Sequence, residues 1–154
     1  MPSRALIGVI AVSEASEEES GQAFEVGKLI GALGLSMVCG GRGGAMEEAS
    51  RGCEKAGGVV LGILPGPDKK EANPYLTYAI PTNLGQARNS LIAHAADLLI
   101  AIGRGYGTLS EIALGLKLGK RVLSFHSWEV VGVKRCESLS EIEEELSSFL
   151  RWGK

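Results

Sequence analysis

The chain has 154 residues, of which 45% are apolar and 22% charged, and its formal net charge is −2. A chain of this length buries roughly 70% of its unfolded surface, so it needs no disulfide or metal staple. No basic surplus recruits nucleic acid, and aromatic residues on which bases could stack are few.

Residues 5–12, ALIGVIAV, form a continuous apolar run, the pattern of a strand buried on both faces of a parallel sheet. The run is too short and too early for a signal peptide. The polar stretch 13–20 leads into a helix, on which Ala23, Phe24, Val26, Leu29, Ile30 and Leu33 recur at helical spacing and Gly34 forms the stop. A second strand is expected at 36–40, a glycine turn at Gly40–Gly44, a helix over 45–57 and a third strand over 58–64. Segment 65–82 holds four of the five prolines and reads as a loop with a short extended piece. Then follow a helix at 84–95, a strand at 96–103, a helix at 108–119 and a strand at 121–127. An amphipathic helix closes the chain at 138–152, with Leu139, Ile142, Leu146, Phe149 and Leu150 on one face and the acidic run Glu143–Glu145 in solvent.

Alternating strands and helices predict an α/β fold: one Rossmann-like domain over residues 1–154, a doubly wound parallel sheet in three α/β/α layers. Right-handed crossovers place the first three strands on one side and the strands after residue 95 on the other, with the order reversing between strand 5–12 and strand 96–103. Ligands of such sheets bind where the strand order reverses. The expected crevice is lined by Ser13–Ser16 and Gly103–Thr108.

Two segments repeat one grammar of strand, glycine cluster and helix: VCGGRGGAMEEA (38–49) and IAIGRGYGTLSEIA (100–113). Glycine lets a ligand approach the backbone. The following helix offers unpaired N–H groups and a partial positive charge. Together these suit a phosphate. The candidate binding residues are Ser13, Gly40, Gly41, Arg42, Gly43, Gly44, Arg88, Asn89, Gly103, Arg104, Gly105, Tyr106, Gly107 and Thr108. Neither segment fits the dinucleotide fingerprint G-x-G-x-x-G, and no acidic residue ends the second strand. Gly119-Lys120 lacks the earlier glycine of a P-loop. A mononucleotide or another small phosphorylated ligand remains.

Thr108 and Glu111 match the capping box S/T-x-x-E, which competes with a second reading of Glu111 as a ligand-facing carboxylate. Arg88 is either a surface arginine or a clamp on phosphate or carboxylate. Arg42 and Arg104 sit inside the glycine turns and are either solvated or phosphate-bound. His94 and His126 have no ligand spacing, so no metal site is expected. Cys39, Cys53 and Cys136 are odd in number and scattered, and Cys39 reads as a packed thiol. The expected compartment is the cytoplasm, with no membrane or nucleic-acid partner.

The motifs GGRGGAMEEASRGCEKAGGVVLGILPG (40–66) and ARNSLIAHAADLLIAIGRGYGTLSE (87–111) resemble the LONELY GUY or lysine decarboxylase-like superfamily, from about residue 5 to about 126. The second motif is similar to that family's arginine helix and its PGGxGTxxE sequence. Members hydrolyse the N-glycosidic bond of N6-substituted adenosine 5′-monophosphates to base and ribose 5-phosphate. The resemblance implies catalytic roles for Arg88 and Glu111, a phosphate site at Gly105, Gly107 and Thr108, and a homo-oligomer, dimeric or tetrameric. The PGG triplet is here Gly103-Arg104-Gly105, and the lysine after the arginine is Asn89. These departures look closer to the molybdenum cofactor carrier protein-like group. That resemblance implies a molybdopterin-type cargo, no required cofactor and binding without catalysis. The expectation is a binding protein for a phosphorylated ligand; the alternative is a phosphoribohydrolase.

Overall fold

The computed structural model describes residues 5–152. In chain order the elements are β1 (Leu6–Ala11), α1 (Glu17–Ala32), β2 (Ser36–Cys39), α2 (Ala45–Lys55), β3 (Val60–Leu64), β4 (Tyr78–Pro81), a 3-10 turn (Gly85–Ala87), α3 (Arg88–Ala95), β5 (Leu98–Gly103), α4 (Tyr106–Lys117), β6 (Arg121–Ser127), β7 (Lys134–Cys136) and α5 (Leu139–Trp152). The strands form one seven-stranded sheet in the order β4-β3-β2-β1-β5-β6-β7. Every pairing is parallel. This is the doubly wound Rossmann-like arrangement, and the order reverses at β1 as the sequence pattern predicts.

Both faces of the central strands are covered, which is why those strands read as unbroken apolar runs. Ile7, Val9, Leu98, Ile100 and Ile102 face α1, α2 and α5, where Val26, Ile30, Ala49, Cys53, Ile142, Leu146 and Phe149 pack on them. Ile10, Leu99 and Ala101 face the other way, against Ile92 of α3 and Ile112 of α4. Each side chain of this size contributes about 1.5–3 kcal/mol when fully buried.

Two strands carry no apolar run. Segment 65–82 is a loop with one short extended piece, as its prolines suggest, and that piece, Tyr78–Pro81, pairs with Leu61–Leu64 as β4. Its edge position makes Pro81 tolerable, because one side of the strand needs no donor. β7 is Lys134–Cys136, charged because it too is an edge. The expected helix at 84–95 starts as a helix only at Arg88, after the 3-10 turn.

Several glycines serve packing. A Cβ on Gly27 of α1 would overlap the Ala49 carbonyl oxygen, and one on Gly52 of α2 would overlap the Phe24 carbonyl oxygen. The two helices therefore pack backbone to backbone. We expect Gly52→Ala to destabilise the fold by about 3 kcal/mol through overpacking, despite the better helix propensity of alanine. A thermal melt should show a fall of roughly 5–10 °C; an unchanged or higher Tm would disprove the close approach.

Candidate functional site

The loops leaving β1 and β5 diverge at the carboxyl edge of the sheet. Three segments are stitched together there: Val12 N–H donates to the Ile102 carbonyl at 3.3 Å, and Ala45 N–H donates to the Val12 carbonyl at 2.9 Å. Gly44, at φ +70°, lies directly on the backbone of Ser13, where no Cβ fits. This brings Ser13, the Gly40–Gly44 turn and the Gly103–Thr108 turn to one edge.

The helix after the second turn begins two residues earlier than expected, at Tyr106, with Gly105 as its N-cap. The Thr108–Glu111 capping box does not form. Thr108 lies within the first turn, since the extended backbone of Gly105 (ψ 158°) already admits the helix. A glycine N-cap has no side chain to accept a bond, and among the described residues the N–H groups of Tyr106, Gly107 and Thr108 have no acceptor, the unpaired state of a helix start. A capping box does exist at α1, where Glu19 N–H donates to Ser16 Oγ at 3.1 Å and Ser16 N–H to Glu19 Oε1 at 3.0 Å.

A bulge in β6 fixes this turn from the side. Ile102 pairs with Phe125 but Gly103 pairs with Ser127, so His126 is left over, at φ 54°. Ser127 Oγ then donates to the Gly103 carbonyl, and Arg104 Nε donates to the Ser127 carbonyl at 3.3 Å. Trp128 Nε1 donates to the Gly105 carbonyl at 2.9 Å. The ring of Tyr106, itself 83% exposed, stacks on Trp128 with centroids 6.0 Å apart. The carbonyls of the turn are thus held by β6 and its extension, while the α4 donors stay open.

The first turn is held from the proline-rich segment. Asn73, 5% exposed, donates from its backbone to the Gly41 carbonyl at 2.9 Å, and from Nδ2 to the Arg42 carbonyl at 3.1 Å and Ser50 Oγ at 3.3 Å. In a trans peptide the N–H opposes the C=O, so the Arg42 and Gly43 N–H groups face away from Asn73. Asn73 is a site-shaping residue that the sequence reading did not single out; an asparagine before a proline signals a turn and nothing about burial. Arg42 is occupied by a solvent-exposed ion pair with Glu71 at 3.0 Å.

Beneath both turns lie Arg88 and Glu111. Arg88 is 8% exposed. Its Nη1 donates to the Gly40 and Ile63 carbonyls, each at 2.8 Å, tying α3 to the ends of β2 and β3. Its Nε is buried and has no acceptor among the described residues. Burial lowers the Arg88 pKa, and nearby Glu111 opposes that shift. Glu111 is 9% exposed; burial pushes its pKa up to about 8, with Arg88 pulling it down. Among the described residues the two form no direct ion pair, so neither charge is fully compensated. Asn89 is buried beside them and reaches Ser110 Oγ of α4 at 3.5 Å. Cys39 is packed as expected, its thiol pushed up by burial and 3.6 Å from Ser50 Oγ.

A cavity of about 670 Å³ between α3 and α4 is bordered by Asn89, Tyr106, Gly107 and Ser110. That size suits a small-molecule ligand. Among the described residues no three His, Cys, Asp or Glu side chains group as a metal site, and no helix is long and apolar enough to cross a membrane.

The family model described as the SLOG cluster4 family matches residues 4–148. An uncharacterized protein of Archaeoglobus fulgidus is 47% identical over 118 residues, covering 77% of this chain and 78% of its own. The molybdenum cofactor binding protein of the phototrophic bacterium Rippkaea orientalis is similar in structure, with TM-score 0.91 and 34% identity over 96% of this chain and 98% of that one. The molybdenum cofactor carrier protein of Chlamydomonas reinhardtii gives TM-score 0.89 and 30% identity over 97% and 99% of the two chains. These likenesses agree with the resemblance read from the two glycine motifs.

Glu111 binds its proton more tightly in the fold than in the unfolded chain. Its protonation therefore supports stability fully below about pH 4.5, and that support is lost as pH rises through about 8. Glu111→Gln keeps the shape without the ionisation. Denaturant titrations should find the variant more stable than the parent at high pH, by on the order of 5 kcal/mol, and equal to it in acid. Parallel pH profiles would show that Glu111 is not held in this environment.

Proposed function

Because this chain belongs to the SLOG cluster4 family, we propose that it is a carrier-type binding protein for a phosphorylated pterin of the molybdopterin type. The phosphate sits on the N–H groups of Gly105–Thr108. The observation that carries this reading is the uncapped first turn of α4, three convergent backbone donors at the reversal point of the sheet. The likeness of nearly the whole chain to two molybdenum cofactor proteins supports the choice of ligand.

Each residue has a part that follows from its surroundings. Gly105, Tyr106, Gly107 and Thr108 supply the helix start and its dipole. Arg88 supplies a buried positive charge next to the first glycine turn, and an incoming anion offsets that charge. Asn73 presets the peptide units at Gly41–Gly43. Burial at Glu111 weighs against the phosphoribohydrolase alternative, which needs a carboxylate to stabilise positive charge on the ribose. A group with its pKa raised to about 8 is largely protonated near neutrality. Incubation with nucleoside 5′-monophosphates should therefore release no ribose 5-phosphate; a release that disappears in Glu111→Gln would establish the hydrolase instead.

The donor role can be isolated at Tyr106. It is the first helical residue, and the extended Gly105 before it (φ −91°, ψ 158°) accepts a following proline. Tyr106→Pro deletes one phosphate donor without breaking the helix, whereas Tyr106→Ala removes the same ring and keeps the donor. In calorimetry with molybdenum cofactor, Tyr106→Pro should bind about tenfold more weakly than Tyr106→Ala, the worth of one charge-assisted bond. Equal affinities would remove the phosphate from this turn.

A further inference from the structure

Arg88 and Glu111 lie buried beneath the α4 turn with no ion pair between them among the described residues, so one proton sets the net charge under the anion site. With Glu111 protonated the pair is positive; with Glu111 ionised it is neutral. We propose that this proton gates the site: the turn binds oxyanions while Glu111 holds its proton and loosens them as the proton leaves, so that anion binding draws a proton from solvent. This rests on the anion at Gly105–Thr108 in the reading above and not on the identity of the cargo.

Helix geometry puts the carboxyl in position. Gly107 and Thr108 come four and three residues before Glu111, so the three share one face of α4. Side chains on a helix lean toward its N-terminus, which carries the Glu111 carboxyl toward the open donors. Its oxygens accept no hydrogen bond among the described residues, yet they are not sealed from solvent, so the proton exchanges without unfolding. Arg88 is fixed from α3 by the Gly40 and Ile63 carbonyls and keeps its charge throughout.

The neighbouring elements bring no competing titration. α4 packs against α3, β1, β5 and β6. β1 and β5 carry no titratable side chain. On β6, Arg121 stands at the far end and pairs with Glu145, and His126 is exposed beside the Phe125 ring. On α3, His94 is exposed and bonded to the Ser90 carbonyl. Lys117 lies in the last turn of α4, and Arg104 is held by the Ser127 carbonyl. Glu19, close to Gly103, is tied into the α1 capping box. Arg42 and Glu71 pair with each other and act on Arg88. Cys39 of β2 faces both members of the pair, and burial pushes its thiol up, out of the neutral range. Glu111 itself is raised to about 8 by burial, with Arg88 pulling it down. A bound anion favours the protonated carboxyl further and raises that value again.

The probe is inorganic sulfate, whose own charge is constant over the range. Calorimetry at fixed ionic strength should find one affinity below about pH 7 and a roughly tenfold weaker one by about pH 9.5, the coupling expected of a one-unit shift in the Glu111 pKa. Repeating the titration near pH 8.5 in buffers of different ionisation heat should show proton uptake with each sulfate bound. Glu111→Gln keeps the pair positive at every pH, so it should bind sulfate as the parent does in acid, with no fall and no proton uptake. A flat parent profile, or binding by the parent without proton uptake, overturns the proposal with no variant needed. So does a fall that persists in a Glu111→Gln protein with a normal thermal melt, or the absence of sulfate binding at every pH. If molybdenum cofactor fails to bind while sulfate follows the profile, the carrier reading falls and the proton gate stands.

Discussion

The uncapped start of α4 is the feature on which the rest of the site depends. A Ser, Thr, Asp or Asn at position 105 would place an oxygen over the first-turn donors and satisfy one of them internally. Gly105 leaves them open, and its carbonyl is held from outside by Trp128. The turn is rigid in its acceptors and free in its donors. That division lets a backbone bind an anion with little reorganisation.

The buried pair beneath the turn adds an electrostatic imbalance. Arg88 is spent on two carbonyl oxygens and has an orphaned Nε, while Glu111 is too buried to ionise easily near neutrality. A guanidinium kept from water without a charged partner is costly, and a bound anion relieves the cost. Under the proposed reading, a Glu111 that keeps its proton would not repel the bound phosphate.

The sheet order, and with it the edge at which the two glycine turns meet, was legible because strands buried on both faces give unbroken apolar runs, and the reversal at β1 follows from crossover handedness. The edge strand β7 was not, and β4 was legible only as a short extended piece within 65–82, since a short, charged or proline-bearing edge has no such pattern. The start of α4 was misplaced by two residues because Thr108–Glu111 mimics a capping box whose true counterpart here is Ser16–Glu19. The spacing of Gly27 and Gly31 in α1 was a readable sign of close helix packing. Asn73 and the β6 bulge at His126 were invisible for a different reason: burial of a lone polar residue and the register of a strand pair are decided by partners far away in the chain.

The most direct measurement is the amide NMR spectrum of the protein during titration with molybdenum cofactor. The amides of Tyr106, Gly107 and Thr108 should move downfield together and saturate with the ligand, as donors that gain a phosphate acceptor do. A saturating titration that leaves those three amides in place would contradict the account.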